Sequence, residues 1–177
     1  MPESLTAPLV AEQIYFLAQE RAMPTQAFCP GVIPGPAQTE AMARALCERS
    51  SIYTSQSQVE EAVKVRMDRN RALLEPGPKR VYVLSPMALT STILDRAARR
   101  AQLDHLDKIA ALDHVDLRVL PLSSPVTWTT GFLLRDGRPL IEGPSRVIQL
   151  GESDYPYFDA LFHRLLSASV PYAADLA

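Results

Sequence analysis

The sequence predicts an α+β domain in which several helices pack on one face of a small, mainly antiparallel sheet of about four strands. Segments with helical periodicity occupy most of the first two-thirds of the chain, whereas most strand-like segments come later. Residues 127–143 predict a hairpin, because Asp136 and Gly137 form a dipeptide that is typical of tight hairpin turns. No repeat and no long linker interrupts the chain, so residues 1–177 are expected to form a single domain.

The N-terminal part, residues 1–22, is predicted to contain one helix. Between residues 8 and 22, apolar side chains recur at helical spacing, whereas charged side chains such as Glu20 lie mostly off that face. The residues predicted to face inward are Leu9, Ile14, Leu17 and Ala18.

Residues 23–75 are predicted to form a proline-rich loop and two helices. Four prolines make residues 24–36 a rigid loop or a short extended segment rather than a regular element. Thr39 is a suitable N-cap for a helix over residues 40–49. A longer helix over residues 56–75 is ended by a Pro-Gly-Pro sequence. The predicted inward stripe of that helix is Val59, Val63, Met67, Asn70 and Leu74.

Residues 79–150 are predicted to form mixed strands with one long helix, and residues 155–177 a C-terminal helix and tail. The strand segments are rich in β-branched and aromatic residues or alternate between apolar and polar residues. Besides the hairpin, the predicted elements are strands over 79–85, 115–122 and 145–150, and helices over 91–112 and 155–169.

Composition excludes several classes of protein. The formal net charge of −2 argues against broad electrostatic binding of nucleic acid, so no direct DNA binding is expected. The first residues lack a signal-peptide pattern and no apolar run is long enough to cross a membrane, which predicts a cytoplasmic protein without a membrane partner. Two cysteines, Cys29 and Cys47, are too few for a disulfide framework, so we expect reduced thiols. Neither has a histidine close in sequence, so we expect no metal site. No cofactor is expected either.

A basic stretch on the helix over residues 56–75 is a candidate binding surface. Arg66 and Arg69 are three residues apart and therefore share a helix face. They could bind a phosphate, a carboxylate or an acidic protein partner. The alternative is a solvated helix face with local salt bridges. Asn70 and Gln38 could line the same cleft, or they could satisfy backbone groups of the proline-rich loop.

Aromatic residues of the predicted sheet suggest a second arrangement. Trp128 and Phe132 are four residues apart, so on one strand they would face the same way. Together with Tyr82, and with Glu142 at one end, they could form an aromatic-walled small-molecule pocket. The alternative is that these aromatic residues are part of the hydrophobic core.

Catalytic motifs are weak. The sequence contains no Gly-x-Ser-x-Gly elbow, no Walker loop and no His-Glu-x-x-His pair. His105 is flanked by aspartates, but neighbouring helical residues point in different directions, which favours a surface or boundary histidine. If the protein is an enzyme, Glu142, Tyr82, Arg66 and His105 are the candidates for acid–base chemistry.

Four segments occur in an order and spacing similar to those of a known family: residues 28–46, 65–74, 101–122 and 131–143. They resemble the C-terminal effector domain of WhiJ-like, antitoxin-like (Scr-type) helix-turn-helix transcriptional regulators of actinomycetes. The resemblance implies a regulatory context. Family members carry a helix-turn-helix ahead of this domain, and the preceding segment here is expected to be too short for one.

Two classes of function follow as hypotheses. The first is a stand-alone ligand- or protein-binding effector module that acts in regulation, as a monomer or a homodimer, with a small molecule or a protein as partner. The second is a small pathway enzyme of specialised metabolism, built on the same fold. The motivation for the second is that Ser85-Pro86 and Pro36-Ala37 replace residues that are usual in the family and would reshape a pocket. A decayed regulator without independent activity is a further alternative.

Overall fold

The computed structural model describes residues 6–50, 52–90, 92–142 and 147–173. In these ranges the chain forms six α-helices and one seven-stranded mixed sheet. The helices are α1 (Thr6–Ala22), α2 (Glu40–Arg49), α3 (Gln56–Leu74), α4 (Pro86–Leu89), α5 (Arg96–Ala110) and α6 (Tyr155–Ala168). The strands are β1 (Thr25–Cys29), β2 (Arg80–Leu84), β3 (Val115–Val119), β4 (Phe132–Arg135), β5 (Arg138–Glu142), β6 (Val147–Gln149) and β7 (Val170–Pro171). None of the helices in these ranges is long and apolar enough to cross a membrane.

Side-chain caps set the starts of the main helices. The Thr39 hydroxyl accepts a hydrogen bond from the Met42 amide, so the predicted cap of α2 is confirmed. Ser55 and Gln58 form a reciprocal capping box at the start of α3. The predicted helix over residues 91–112 is shorter than expected. Asp95 caps α5, which therefore begins at Arg96, and residue 91 lies outside the described ranges.

The α+β class is confirmed, but the predicted sheet was wrong in size and in strand direction. The strand order is β6-β5-β4-β1-β2-β3-β7, and the pairs β1–β2 and β2–β3 are parallel. The largest omission is β1, which lies at the centre of the sheet, inside the segment predicted as a rigid loop or a short extended segment rather than a regular element. Its sequence, TQAFC, lies between Pro24 and Pro30. Both prolines lie just outside the strand and leave its hydrogen bonds intact.

The hairpin was predicted correctly at its turn. Strands β4 and β5 pair through Arg135 and Arg138, with Asp136 and Gly137 between them. Both turn residues have positive φ, 50° and 67°, as this type of two-residue turn requires. The strands themselves are shorter than residues 127–143, and Trp128 lies before β4.

Helices cover both faces of the sheet, so the prediction of a single covered face was wrong. Ala27 and Tyr82 point into a core cluster shared with α3 and α5, whereas their neighbours Phe28 and Val83 point to the opposite face. There α6 packs its apolar residues against the sheet, with Phe162 fully buried. A central strand projects side chains alternately to both sides, and therefore needs a cover on each.

Helix α1 belongs to this domain and packs on α3. Its inward face differs from the predicted one, because Phe16 and Glu20 are buried whereas Ile14 is exposed. Between residues 6 and 39 the structure describes this one α-helix, then β1 and a short 3-10 turn. That range therefore contains no helix-turn-helix.

Candidate functional site

A cavity of about 590 Å³ lies mainly on the face of the sheet that α1 and α3 cover, and Phe28 and Phe132 of the opposite core cluster also contribute to its lining. Residues of β1, β2 and β4 line its floor, including Ala27, Tyr82 and Leu133. Phe16 of α1 and Arg69 of α3 contribute to its sides, and residues 30–36 with Gln38 close it. We call residues 30–38 the wall segment. The volume is in the range of cavities that bind small organic ligands.

Buried amides hold the wall segment in place. Asn70 donates a hydrogen bond of 2.8 Å to the carbonyl oxygen of Pro36. On α5, Gln102 donates to the carbonyl oxygen of Ala37 at 2.9 Å and accepts from the Thr39 amide at 2.8 Å. Because Asn70 and Gln102 are buried, these bonds are shielded from competing water. The wall segment is therefore held in place by hydrogen bonds within the protein.

A glycine lets the wall segment approach α3 closely. A Cβ atom at Gly35 would lie 3.1 Å from Nη1 of Arg69, a tight contact for any side chain. The guanidinium of Arg69 therefore lies close to the backbone at Gly35, where a larger residue would crowd it.

His105 supports the same network from α5. Its Nε2 lies 2.8 Å from Nδ2 of Asn70, which also donates to Pro36. Because an amide nitrogen only donates, Nε2 must accept and the ring must be neutral in this arrangement. Burial lowers the pKa of His105, and the charge of Lys108 lowers it further.

This contact predicts a pH-dependent stability. In the unfolded chain His105 binds its proton near pH 6.5, whereas in the folded chain its pKa is lower. Between these two values the unfolded state holds more protons, so stability is complete above about pH 6.5 and falls as the pH is lowered through the folded pKa. Urea unfolding from pH 7.5 to 5 should show this slope. His105→Gln, which still offers Asn70 an acceptor but does not titrate, should show a smaller slope. An equal slope in both proteins would contradict the prediction.

A buried ion cluster forms one side of the cavity. Glu20 receives two hydrogen bonds from Arg69, at 2.9 Å from Nε and 2.6 Å from Nη2. Nη2 of Arg135 lies 3.6 Å from the same carboxylate. All three residues are 5% exposed or less. We call these residues the Glu20 cluster. Buried charges are tolerated only with such partners.

Neighbouring groups fix the orientation of the two arginines. Arg135 donates to the Thr25 hydroxyl at 3.1 Å and to the Gln19 side-chain oxygen at 3.1 Å. The Phe16 ring lies 5.5 Å from the guanidinium carbons of both Arg69 and Arg135. These cation–π contacts join α1, α3 and β4 at the cavity.

Arg66 is held differently. It lines the cavity one helical turn before Arg69, and its Nη1 donates to the Gln38 side-chain oxygen at 2.9 Å. Gln38 is itself held, because its amide nitrogen donates to the Ile33 carbonyl oxygen at 2.7 Å. In the described ranges no carboxylate lies within salt-bridge distance of Arg66.

Neutral polar groups line the region near Arg66. Burial raises the pKa of the Cys47 thiol and of the Tyr53 hydroxyl, so both stay protonated at neutral pH. A protonated thiol is a poor nucleophile. The side-chain oxygen of Gln13 is buried and has no hydrogen-bond partner within the described part of the chain. Gln13 and Tyr53 both line the cavity.

The structure brings together some of the predicted site residues. Arg66, Arg69 and Gln38 line the cavity, as do Tyr82 and Phe132. Asn70 donates a hydrogen bond to the backbone of the wall segment, which is the alternative role predicted for it.

The aromatic pocket predicted around Trp128 forms only in part, because Tyr82 and Phe132 line the cavity whereas Trp128 is not among the described residues that do. Tyr82 and Phe132 belong to clusters on opposite faces of the sheet, because they occupy alternate positions of the pleat. Trp128 packs on the α6 side, 6.3 Å from the Tyr157 ring. Glu142 ends β5 opposite Val147, and its side chain lies outside the described part of the structure.

Sequence reasoning missed Glu20, Arg135 and Phe16. Glu20 was predicted to lie off the apolar face of α1, although its spacing of four residues from Phe16 places both on one stripe. Arg135 follows three apolar strand residues, which gives no sign that its side chain turns inward. Predicting β1 as a central strand would have helped to find Arg135, because the position of β1 in the sheet places Thr25 beside it.

Comparison with known proteins places the chain in a family without assigning it an activity. No curated protein and no solved structure matches it. Residues 15–174 match the family described as "Domain of unknown function (DUF5753)". This match covers α1 from Tyr15 onward, the whole sheet and α6, and therefore every element around the cavity. The chain is thus a member of the DUF5753 family.

Proposed function

We propose that this domain is a small-molecule-binding effector module that acts in regulation. The cavity behind the wall segment is the observation that supports this proposal most directly. It combines an apolar floor with a few converging polar groups, as small-molecule sites do. The resemblance to the effector domains of WhiJ-like, antitoxin-like regulators of actinomycetes supports the regulatory role.

A small molecule fits these features better than a protein surface does. The polar side chains of Glu20, Gln38 and Arg69 line the cavity and are almost fully buried. A protein surface could not reach them, whereas a small molecule inside the cavity could. A rigid wall also lowers the entropic cost of binding, because few side chains need to be ordered by the guest.

The cavity also suggests how binding would be transmitted. A guest would contact α1, α3, the wall segment and the sheet together. Binding would therefore stabilise the packing of α1 on the rest of the domain. A partner protein or an attached domain could recognise such a change in the packing of α1.

The enzyme hypothesis stays a prediction. Tyr82 and Arg66 line the cavity, but burial raises the pKa of Tyr82 far above neutral pH. His105 is engaged with Asn70 and is not among the described residues that line the cavity. Of the three enzyme candidates whose side chains are described, Tyr82 and Arg66 line the cavity and His105 does not.

A thermal-shift screen with a cavity-blocking variant tests the proposal. Leu46 lines the cavity and is partly buried, so Leu46→Trp should fill part of the space. A ligand present at a hundred times its Kd stabilises the folded state by about 2.7 kcal/mol, or about 5–10 °C for a chain of this size. We expect members of a metabolite library to raise the Tm of the wild-type chain, and the Tm of Leu46→Trp much less.

Leu122→Trp is the matched control, because Leu122 is 90% exposed. It should respond to the same compounds as the wild-type chain does. Equal shifts in Leu46→Trp and the wild type would place binding outside the cavity. A library without any stabilising compound would contradict the proposed function.

A further inference from the structure

We infer that the guest of this cavity is a small organic acid, with one carboxylate held by Arg66 and an apolar body lying against the sheet. This inference rests on the proposed function, because it names the chemical class of the ligand for the same cavity.

The charges around the cavity favour an anion. Among the described lining residues, three carry a guanidinium group and one, Glu20, carries a carboxylate. Arg69 and Arg135 already donate to Glu20 or to the polar groups beside it. A cationic guest would meet repulsion from these groups, whereas an anion is attracted.

Arg66 is the group that can take up the charge of a guest. It donates to the neutral amide of Gln38, and no carboxylate of the described ranges neutralises it. A guanidinium carries five N–H donors in a planar fork that matches a carboxylate. Gln38 orients this fork and is itself held to the wall segment. The donor is therefore preorganised at the cavity.

One carboxylate fits better than a phosphate group. A phosphate monoester carries a charge of about −1.5 to −2 and three acceptor oxygens, and therefore requires several donors. Arg66 supplies one guanidinium, while those of Arg69 and Arg135 are occupied with Glu20, Thr25 and Gln19. A single negative charge matches a single available cation.

The rest of the cavity suits an apolar body with one further polar group. Phe16, Ile33, Leu46, Ile52 and Leu133 contribute apolar lining. The unpartnered side-chain oxygen of Gln13 is an acceptor, and would be satisfied by a hydroxyl or an amine of the guest. The inferred ligand class is thus a hydrophobic monocarboxylic acid, with a hydrogen-bond donor as an additional favourable feature.

Three probes with one naphthyl body separate charge from shape: 1-naphthaleneacetate, the neutral 1-naphthaleneacetamide and 1-naphthyl phosphate. Isothermal titration calorimetry on the full chain should give a Kd for the acetate at least ~10-fold lower than for the amide. The phosphate should bind more weakly than the acetate. In Arg66→Gln the preference for the acetate over the amide should vanish, because the acetate loses more affinity than the amide does. Arg66→Lys should keep part of the preference, because it keeps the charge.

Each other outcome has a defined meaning. Equal binding of acetate and amide, or a preference that survives in Arg66→Gln, would overturn the acid inference and leave small-molecule binding intact. Tighter binding of the phosphate would overturn the carboxylate assignment. If none of the three probes binds the wild-type chain, the inference fails. The proposed function is tested separately, by the library screen with Leu46→Trp. Circular dichroism of both Arg66 variants checks that they fold.

Discussion

Replacing Glu20 with glutamine is expected to lower the free energy of unfolding by about 3–5 kcal/mol. The substitution removes the carboxylate that receives two hydrogen bonds from Arg69 and lies 3.6 Å from Nη2 of Arg135. Both guanidinium groups would stay buried without this negative charge, and desolvated charge is costly. Equilibrium unfolding in urea, followed by circular dichroism, measures the loss.

Glu60→Gln is the matched control, because it makes the same chemical change at an exposed ion pair with Arg44. Water screens that pair, so the unfolding midpoint should stay close to that of the wild type. If Glu20→Gln were as stable as Glu60→Gln, the Glu20 cluster would contribute nothing to the fold, and its role in shaping the cavity would be wrong.

Phe162→Ala is expected to cost about 3–5 kcal/mol, the range for a large aromatic side chain removed from a packed core. Phe162 is fully buried on α6 and its ring lies 6.4 Å from that of Phe132. Its loss would leave a cavity between α6 and the sheet. The same urea titration measures the effect.

Arg164→Ala, two positions along the same helix, is the control. Its side chain is exposed, and we expect a change within about 0.5 kcal/mol. A small loss for Phe162→Ala would mean that α6 does not cover the sheet tightly. The two-faced arrangement described above would then be incorrect.

The Glu20 cluster has consequences beyond stability. Apolar residues of similar volume often stabilise a core as well as buried ions do. The polar cluster instead gives the cavity a fixed array of charges at defined positions.

Local chemistry was enough to predict several elements from the sequence. The cap at Thr39 and the stop after α3 depend on residues within a few positions of each other, as does the turn at Asp136-Gly137. Strands β2 and β3 were also predicted close to their observed bounds, because their alternation or β-branched content is a local signal. Helix spacing placed Arg66 and Arg69 on one face, whereas the contact between Arg66 and Gln38 became apparent only in the structure.

By itself, then, the sequence determined the α+β class, the main helices and the hairpin turn, since each follows from short-range propensity and capping. Only the tertiary structure decided that the segment between Pro24 and Pro30 is a central strand, that helices cover both faces, and that a cavity opens over β1. It also brought Glu20 to Arg69, 49 residues along the chain, and Thr25 to Arg135, 110 residues along. The physical reason is that burial of a strand on two sides, and of a charge beside its counter-charge, depends on packing between distant segments rather than on the pattern of neighbours.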